Sequence, residues 1–348
     1  IDSNILIDSS QIKKNNLINK NFIEINEPIE LKDHEIKASY SNKKLLIEGK
    51  GKFKIQNKFE IIDYQMTNNG SDLSLVSNFD LSELDFKNQK LIKVYLPKTK
   101  DILNLKDHKI RLNYKDDTLS LKGMGQIKLE KEFNKIEYFF SAKDKVYNFE
   151  TDLVINDTPI EIDFVNYKKD KDLNSKLKIN GKYTKKFGFD FKQISLLSKN
   201  NNFIINDLMI NEKNKIIKVD KIDLDYFDRS DKKNKFALRR IKKDDYELNG
   251  SLLNADSLIT KLLKSKKDQK LDFFKENVNM TLNISNVYLD NDNIVKNLNG
   301  KLLIVDNKIN QAKISALFDA TKNLTFSINT KEGEKITTLY SSNAKPLV

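Results

Sequence analysis

The chain has 348 residues, with 62 Lys and Arg against 50 Asp and Glu, a net charge of +12. Ten Gly and four Pro exclude collagen-like, Gly/Ser-linker and Pro-rich architectures, while 20 Phe and 12 Tyr are too many rings for a disordered charged tail. With no Cys and two His, disulfide frameworks, thiolate zinc sites, cysteine nucleophiles and Ser/His/Asp machinery lack their material.

No apolar run approaches the ~18 residues of a membrane-spanning helix. The chain opens on Ile1 without a signal-peptide core, so it is expected to be a piece of a longer polypeptide whose targeting or anchoring segments lie elsewhere. The first strong pattern is alternation. From Leu45 the odd positions read Leu45, Ile47, Gly49, Gly51, Phe53, Ile55, then Phe59 and Ile61, and the even positions are mostly Lys, Glu and Gln. A period of two predicts strands with one apolar and one wet face, with Asn57 and its neighbours as a hairpin turn.

The signature returns at Leu119, Leu121, Ile127 and Leu129, at Leu177 to Tyr183, at Met280, Leu282 and Ile284, and at Phe326 and Ile328. Polar clusters such as Asn68-Asn69-Gly70-Ser71 and Lys115-Asp116-Asp117 separate these runs. Asn and Asp tolerate left-handed backbone angles, so they can supply turns where Gly is scarce. Short strands joined by polar turns predict an antiparallel all-β meander of on the order of 30 strands.

Residues 31–66 and 105–140 form an internal repeat, through Leu31/Leu105, Asp33/Asp107, His34/His108, Gly49/Gly123, Gly51/Gly125, Phe59/Phe133 and Tyr64/Tyr138. The shared register predicts an apolar face continuous from one copy to the next. Near residues 255–265, Ala255, Leu258, Ile259, Leu262 and Leu263 fall at helical spacing behind an Asn254 cap, which predicts a short amphipathic helix. The polar stretch after it places a soft boundary near 268, dividing a repeat-built segment 1–268 from a continuing unit 269–348, cut off at its C-terminal end.

Little in the sequence reads as reaction chemistry. His34 and His108 occupy equivalent repeat positions and are expected as turn residues, since nothing supplies further metal ligands. Gly49-Lys50-Gly51 lacks the Gly-Lys-Ser/Thr and the helix of a phosphate loop, and glycines on an apolar strand face more often mark close backbone approach. No carboxylate pair stands out, so neither an enzyme nor a cofactor is expected. Lysines alternate with acids on wet faces and no recognition motif appears, so nucleic acid is not expected as a partner. Arg239-Arg240 and Lys242-Lys243 form one compact basic knot, read as solvated surface or as a contact for anionic headgroups.

An apolar face left in water forgoes about 25 cal/mol per Å² of burial, so something should cover it. A second sheet or a closed barrel would do so, and so would acyl chains lying in a curled trough. From Tyr246 the segment YELNGSLLNADSLITKLLKSKK, then NVNMTLNISNVYLDNDNIVKNLNGKLLIVDNKINQAKISALFDATKNLTFSINT and finally TTLYSSNAKPLV, resembles units of the bacterial AsmA-like envelope proteins, the YhdP and TamB group of bridge-like lipid transfer proteins. LSELDFKNQKLIKVYL is similar to an earlier strand–loop unit of that family.

The resemblance implies an elongated antiparallel sheet curled into a U-shaped hydrophobic groove. It implies a periplasmic location, anchored to the inner membrane through a segment outside this chain, and carriage of phospholipids between inner and outer membranes. Phospholipids, the membranes at the ends of the full-length protein and envelope proteins are the expected partners. Leu45, Ile47, Phe53, Ile55, Phe59, Leu119, Leu121, Ile127, Leu129, Met280, Leu282, Ile284, Phe326 and Ile328 are the expected lumen-facing residues, with an ordinary sandwich core as the bland reading. A structural or assembly module acting through its outer face, for instance through Arg239 and Arg240, and an enzyme or carbohydrate-binding sandwich stay open beside it.

Overall fold

A computed structural model describes residues 2–12, 29–87, 99–170, 173–213, 215–256, 277–306, 308–331 and 334–342. The chain is all-β. The described residues hold 22 strands and little helix beyond one 3₁₀ turn at Asp163–Val165. Strands commonly run ten residues or more, up to the 15 of β5, so fewer fit the chain than an 8–12-residue strand-plus-turn spacing predicts. Two compact units are formed, residues 1–158 and 159–348.

The first unit holds β1 (Asp2–Ile12), β2 (Ile29–Ser41), β3 (Lys44–Ile55), β4 (Lys58–Asn68), β5 (Leu73–Lys87), β6 (Ile102–Lys115), β7 (Thr118–Lys128), β8 (Phe133–Lys143) and β9 (Val146–Ile155). Each pairs antiparallel with the next, a pure meander in which β1 and β9 do not close on each other. The repeat copies are the three-stranded meanders β2–β4 and β6–β8. Their registers match: Ile36 faces Gly49 and Gly49 faces Tyr64, as Ile110 faces Gly123 and Gly123 faces Tyr138.

The second unit begins with a small hairpin, β10 (Ile160–Ile162) and β11 (Tyr167–Lys169). Its sheet runs through β12 (Ser175–Thr184), β13 (Gly188–Ser198), β14 (Asn202–Ile210), β15 (Ile216–Phe227), β16 (Lys233–Lys242), β17 (Asp245–Asn254), β18 (Val278–Tyr288), β19 (Ile294–Val305), β20 (Lys308–Leu317), β21 (Asn323–Lys331) and β22 (Glu334–Ser341). Neighbours are antiparallel except β17 and β18, which are parallel. A parallel pair needs a crossover of a dozen or more residues, and the long stretch between Asn254 and Val278 meets that need. The expected helix near 255–265 and the expected boundary near 268 fall mostly on residues 257–276, outside the described residues.

The hairpin covers one end of this sheet. Tyr167 is fully buried against Phe203, with ring centroids 4.5 Å apart, and the Tyr226 hydroxyl donates to the Val165 carbonyl at 2.8 Å. Ring pairs of this kind add roughly 0.5–1.5 kcal/mol each beyond area burial.

Asp and Asn supply most of the left-handed backbone that Gly would otherwise provide. The two-residue turns Asn42-Lys43, Asp116-Asp117 and Asp144-Lys145 have positive φ at both positions, the type I′ geometry that matches strand twist. Asp33 and Asp107 do the same inside β2 and β6, where each marks a β-bulge. His34 and His108 therefore stand within strands, immediately after a bulge, rather than in turns. Larger loops close on carboxylate or amide acceptors: Asp228 Oδ1 accepts the Ser230 and Lys232 N–H groups, and Asp319 Oδ1 those of Thr321 and Lys322.

Candidate functional site

Strand register settles which side chains share a face, because residues paired across a ladder point the same way. In the first unit one row reads Ile5, Ile36, Gly49, Tyr64, Ser77, Leu112, Leu121, Phe140, Phe149 from β1 to β9. The next row reads Ala38, Ile47, Met66, Leu75, Tyr114, Leu119, Ala142, Tyr147 from β2 to β9. The opposite face carries Lys37, Glu48, Lys50, Lys52, Asp63, Gln65, Lys122 and Glu137, all exposed.

The second unit repeats the design across every strand of its sheet. Ile179, Ile194, Ile205, Ile222, Leu238, Leu248, Leu282, Gly300, Ile314, Phe326 and Leu339 form one unbroken row from β12 to β22. Around Leu208, Val219, Leu238, Tyr246, Val278 and Ile304 this face packs into a buried cluster, with a second around Ile284, Val287, Val295 and Leu324.

Burial varies along the apolar face. Leu45, Ile47, Phe53, Ile55, Leu119, Leu121, Met280 and Phe326 are all half-buried on it, while Ile127, Leu282, Ile284 and Ile328 are buried. The principal strand contacts run between hydrogen-bonded neighbours. Among the described residues the β10–β11 hairpin is the one strand pair outside the large sheet, and its Tyr167 packs on Phe203.

Two of the expected lumen residues stand elsewhere. Phe59 lies on the wet face: the turn at Gln56-Asn57 has two residues, so Ile55 pairs with Lys58, and the apolar face passes from odd positions on β3 to even positions on β4. Phe59 is 42% exposed there, with the Lys32 and Lys54 ammonium groups 5.7 and 5.9 Å from its ring. Leu129 is buried but follows the end of β7, in the connection to β8.

Each repeat copy carries a His–Tyr pair on the apolar face. The His108 ring lies over Gly125 and the Tyr138 ring over Gly123, where an added Cβ would come within 2.3 Å of either ring. His108 Nε2 donates to the Gln126 carbonyl at 2.9 Å, leaving Nδ1 to accept from the Tyr138 hydroxyl at 3.1 Å. His34 and Tyr64 stack on Gly51 and Gly49 in the same way, with ring centroids 5.9 Å apart. Burial pushes the His108 imidazole below its ordinary value despite the opposing pull of Gln126 and Asp107, and pushes the Tyr138 phenol up to about 12. Neutral groups spend no charge desolvation on an apolar wall.

The basic knot at residues 239–243 comes apart. Arg239 donates to Asp223 and to the Ile222 and Leu238 carbonyls, and Arg240 to the Lys243 carbonyl and Asp220. Burial raises the Asp223 carboxyl, but hydrogen bonds from Arg239 and Lys221 outweigh it and hold the group below the usual carboxylate range. Among the described residues no group of three or more His, Asp or Glu is placed to hold a metal ion.

Sequence reasoning passed over the wall between β13 and β17, including Ile194, Ile205, Ile222 and Leu238. The obstacle is a change of parity inside strands: Ile205 and Leu208 share the face at a spacing of three because Asp207 takes positive φ between them. An Asp or Asn flanked by apolar residues three apart, within an otherwise alternating run, is the signal that would have found it. Compared with family models, curated proteins and solved structures, the chain gives no match.

Proposed function

We propose that this chain is a segment of an AsmA-like, bridge-type lipid transfer protein, and that its apolar sheet face forms the floor of a hydrophobic groove along which phospholipids pass between the two membranes of a Gram-negative envelope. One observation carries the reading: an apolar row runs uninterrupted from β12 to β22, and its side chains are mostly half-buried. Acyl chains lying on such a wall would gain about 25 cal/mol per Å² of apolar area removed from water. Many interchangeable Leu, Ile and Phe contacts suit sliding, since no single one holds the guest.

Carriage of this kind requires no covalent step, and the His108–Tyr138 pair, whose imidazole burial holds below its ordinary value, fits passing acyl chains better than an ion would. The test is lipid co-isolation and uptake of a fluorescent phospholipid by the delipidated protein. Ile47→Asp and Leu121→Asp should each abolish uptake while the far-ultraviolet circular dichroism stays that of a β-protein. If the delipidated wild-type protein takes up no lipid, the proposal fails.

A second reading, an envelope assembly module acting through its outer face, draws on one repeated feature. Phe59 between Lys32 and Lys54 is matched by Phe133 between Lys106 and Lys128, 5.5 and 5.3 Å from its ring. Partner capture lost in a Phe59→Ser, Phe133→Ser variant but retained in Leu121→Asp would favour it. Arg239 and Arg240, already engaged with their own acids, are poorer anchors for such a partner.

A further inference from the structure

Strand direction alternates from β12 to β16, so the turns joining β12 to β13, β14 to β15 and β16 to β17 all stand at one end of the second unit's sheet. Two of these turns carry the same device. Lys185-Lys186-Phe187 sits between Thr184 and Gly188, with Phe187 58% exposed, the Lys186 ammonium 5.1 Å from its ring and the turn fastened by Phe187 N–H to Thr184. Gly188 has φ +80°, and a Cβ there would lie 2.3 Å from the Ile210 carbonyl oxygen, so the turn's shape depends on this glycine.

The other turn is Ile241-Lys242-Lys243-Asp244. The ladder pairs Arg240 with Tyr246 and Lys242 with Asp245, which leaves Ile241 as the unpaired residue of a bulge, 63% exposed. Bulges re-aim side chains, and this one displays an isoleucine at the sheet's end. Arg240 grips the Lys243 carbonyl at 2.8 Å and so stiffens the tip. Four inter-strand steps separate the two turns, roughly 19 Å at 4.8 Å per step.

We propose that this end of the sheet docks on an anionic lipid surface, with Phe187 and Ile241 entering the headgroup layer and Lys185, Lys186, Lys242 and Lys243 meeting its negative charge. Bulky apolar side chains flanked by paired lysines are what such an interface selects. Acids are outnumbered at this end: Asp245 is paired with Lys242 at 3.1 Å and Asp190 with Lys182 at 3.3 Å, leaving Glu212, Asp244, Asp306 and Glu334 against Lys185, Lys186, Lys213, Lys215, Lys243, Lys308 and Lys335. The opposite end carries Asp228, Asp231, Asp290, Asp292 and Asp319 in its loops, which an anionic surface would repel. That asymmetry within one sheet selects the end, as the overall charge of +12 alone could not.

Co-sedimentation of the full chain with vesicles tests it, using phosphatidylcholine alone and phosphatidylcholine with phosphatidylglycerol. Binding is expected to the mixed vesicles, to weaken with salt, and to fall about fivefold for each lysine neutralised among Lys185→Gln, Lys186→Gln and Lys242→Gln. Phe187→Ser with Ile241→Ser should lower it further, while Lys199→Glu with Lys322→Glu at the opposite end leaves it unchanged. Equal loss from either end would mean unspecific attraction by net charge and overturn the proposal. So would equal binding to neutral vesicles, no binding by the wild-type chain, or tips that serve only to capture an acidic protein. The inference stands apart from lipid carriage, since tip variants should still take up fluorescent phospholipid from solution.

Discussion

A glycine earns its place on the apolar face by what lies on top of it. A Cβ built on Gly49 would stand 2.1 Å from Cζ of Tyr64, so Gly49→Ala must displace a ring held between strands. The expected cost is about 1–3 kcal/mol in urea denaturation. Strand glycine is itself unfavourable by roughly 0.5–1 kcal/mol, so in a Tyr64→Ser background the same change should be neutral or stabilising. That reversal of sign distinguishes ring stacking from a general intolerance of side chains. His108 supports a second prediction at this scale. Burial holds its folded-state value below the roughly 6.5 of an unfolded chain, so the unfolded state binds the proton first as pH falls. Its stabilising contribution is complete above about pH 6.5 and is lost as pH drops toward the lower folded value. Urea midpoints should fall between about pH 7.5 and pH 5.5, and less so in His108→Phe. The glycines and histidines were visible in the repeat, but their contact was not. Tyr64 meets Gly49 only once the register of β3 and β4 is known.

Turns decide which alternating pattern becomes which face. Type I′ turns favour Gly at the second central position, yet here Lys43, Asp117 and Lys145 hold positive φ values of 63°, 56° and 64°. Lys43→Gly and Lys145→Gly should each raise stability, by about 1 kcal/mol, because Gly occupies the left-handed region without a Cβ penalty. Asp117→Gly should gain less, since it discards the bond that the Tyr114 hydroxyl donates to Asp117 at 2.9 Å. Thermal midpoints for the three variants check that ranking, and a lower midpoint for Lys43→Gly would sink it. The same turns explain what was legible. Alternation marks strands well, because a half-buried sheet writes its two faces directly into the sequence. Parity across a turn is not written there: one residue more or fewer at Gln56-Asn57 would have placed Phe59 on the apolar side. Bulges at Asp33 and Asp107 shift parity again inside the strands, and Asp207 takes positive φ within β14.

At the scale of the whole chain, the question is how much apolar surface folding removes from water. A sandwich buries both inner faces against each other, whereas here much of the wall stays half-exposed. Heat-capacity change on unfolding follows newly exposed apolar area, and ordinary globular domains give about 12–15 cal/mol/K per residue. The delipidated chain should fall below that range, because part of its wall already meets water in the folded state. The two compact units need not melt together, so calorimetry should be read for two transitions before any single unfolding energy is assigned. A phospholipid that occupies the folded wall and not the unfolded chain must add about 2.7 kcal/mol of stability at a hundredfold excess over its dissociation constant, and so raise the transition temperature with concentration. The charge substitutions Ile47→Asp and Leu121→Asp should erase this lipid dependence, whereas Phe187→Ser should leave it intact. A heat-capacity change at the full globular value, with midpoints indifferent to lipid, would mean that the rows from Ile179 to Leu339 are covered by protein in solution, and the wall would then be an ordinary core.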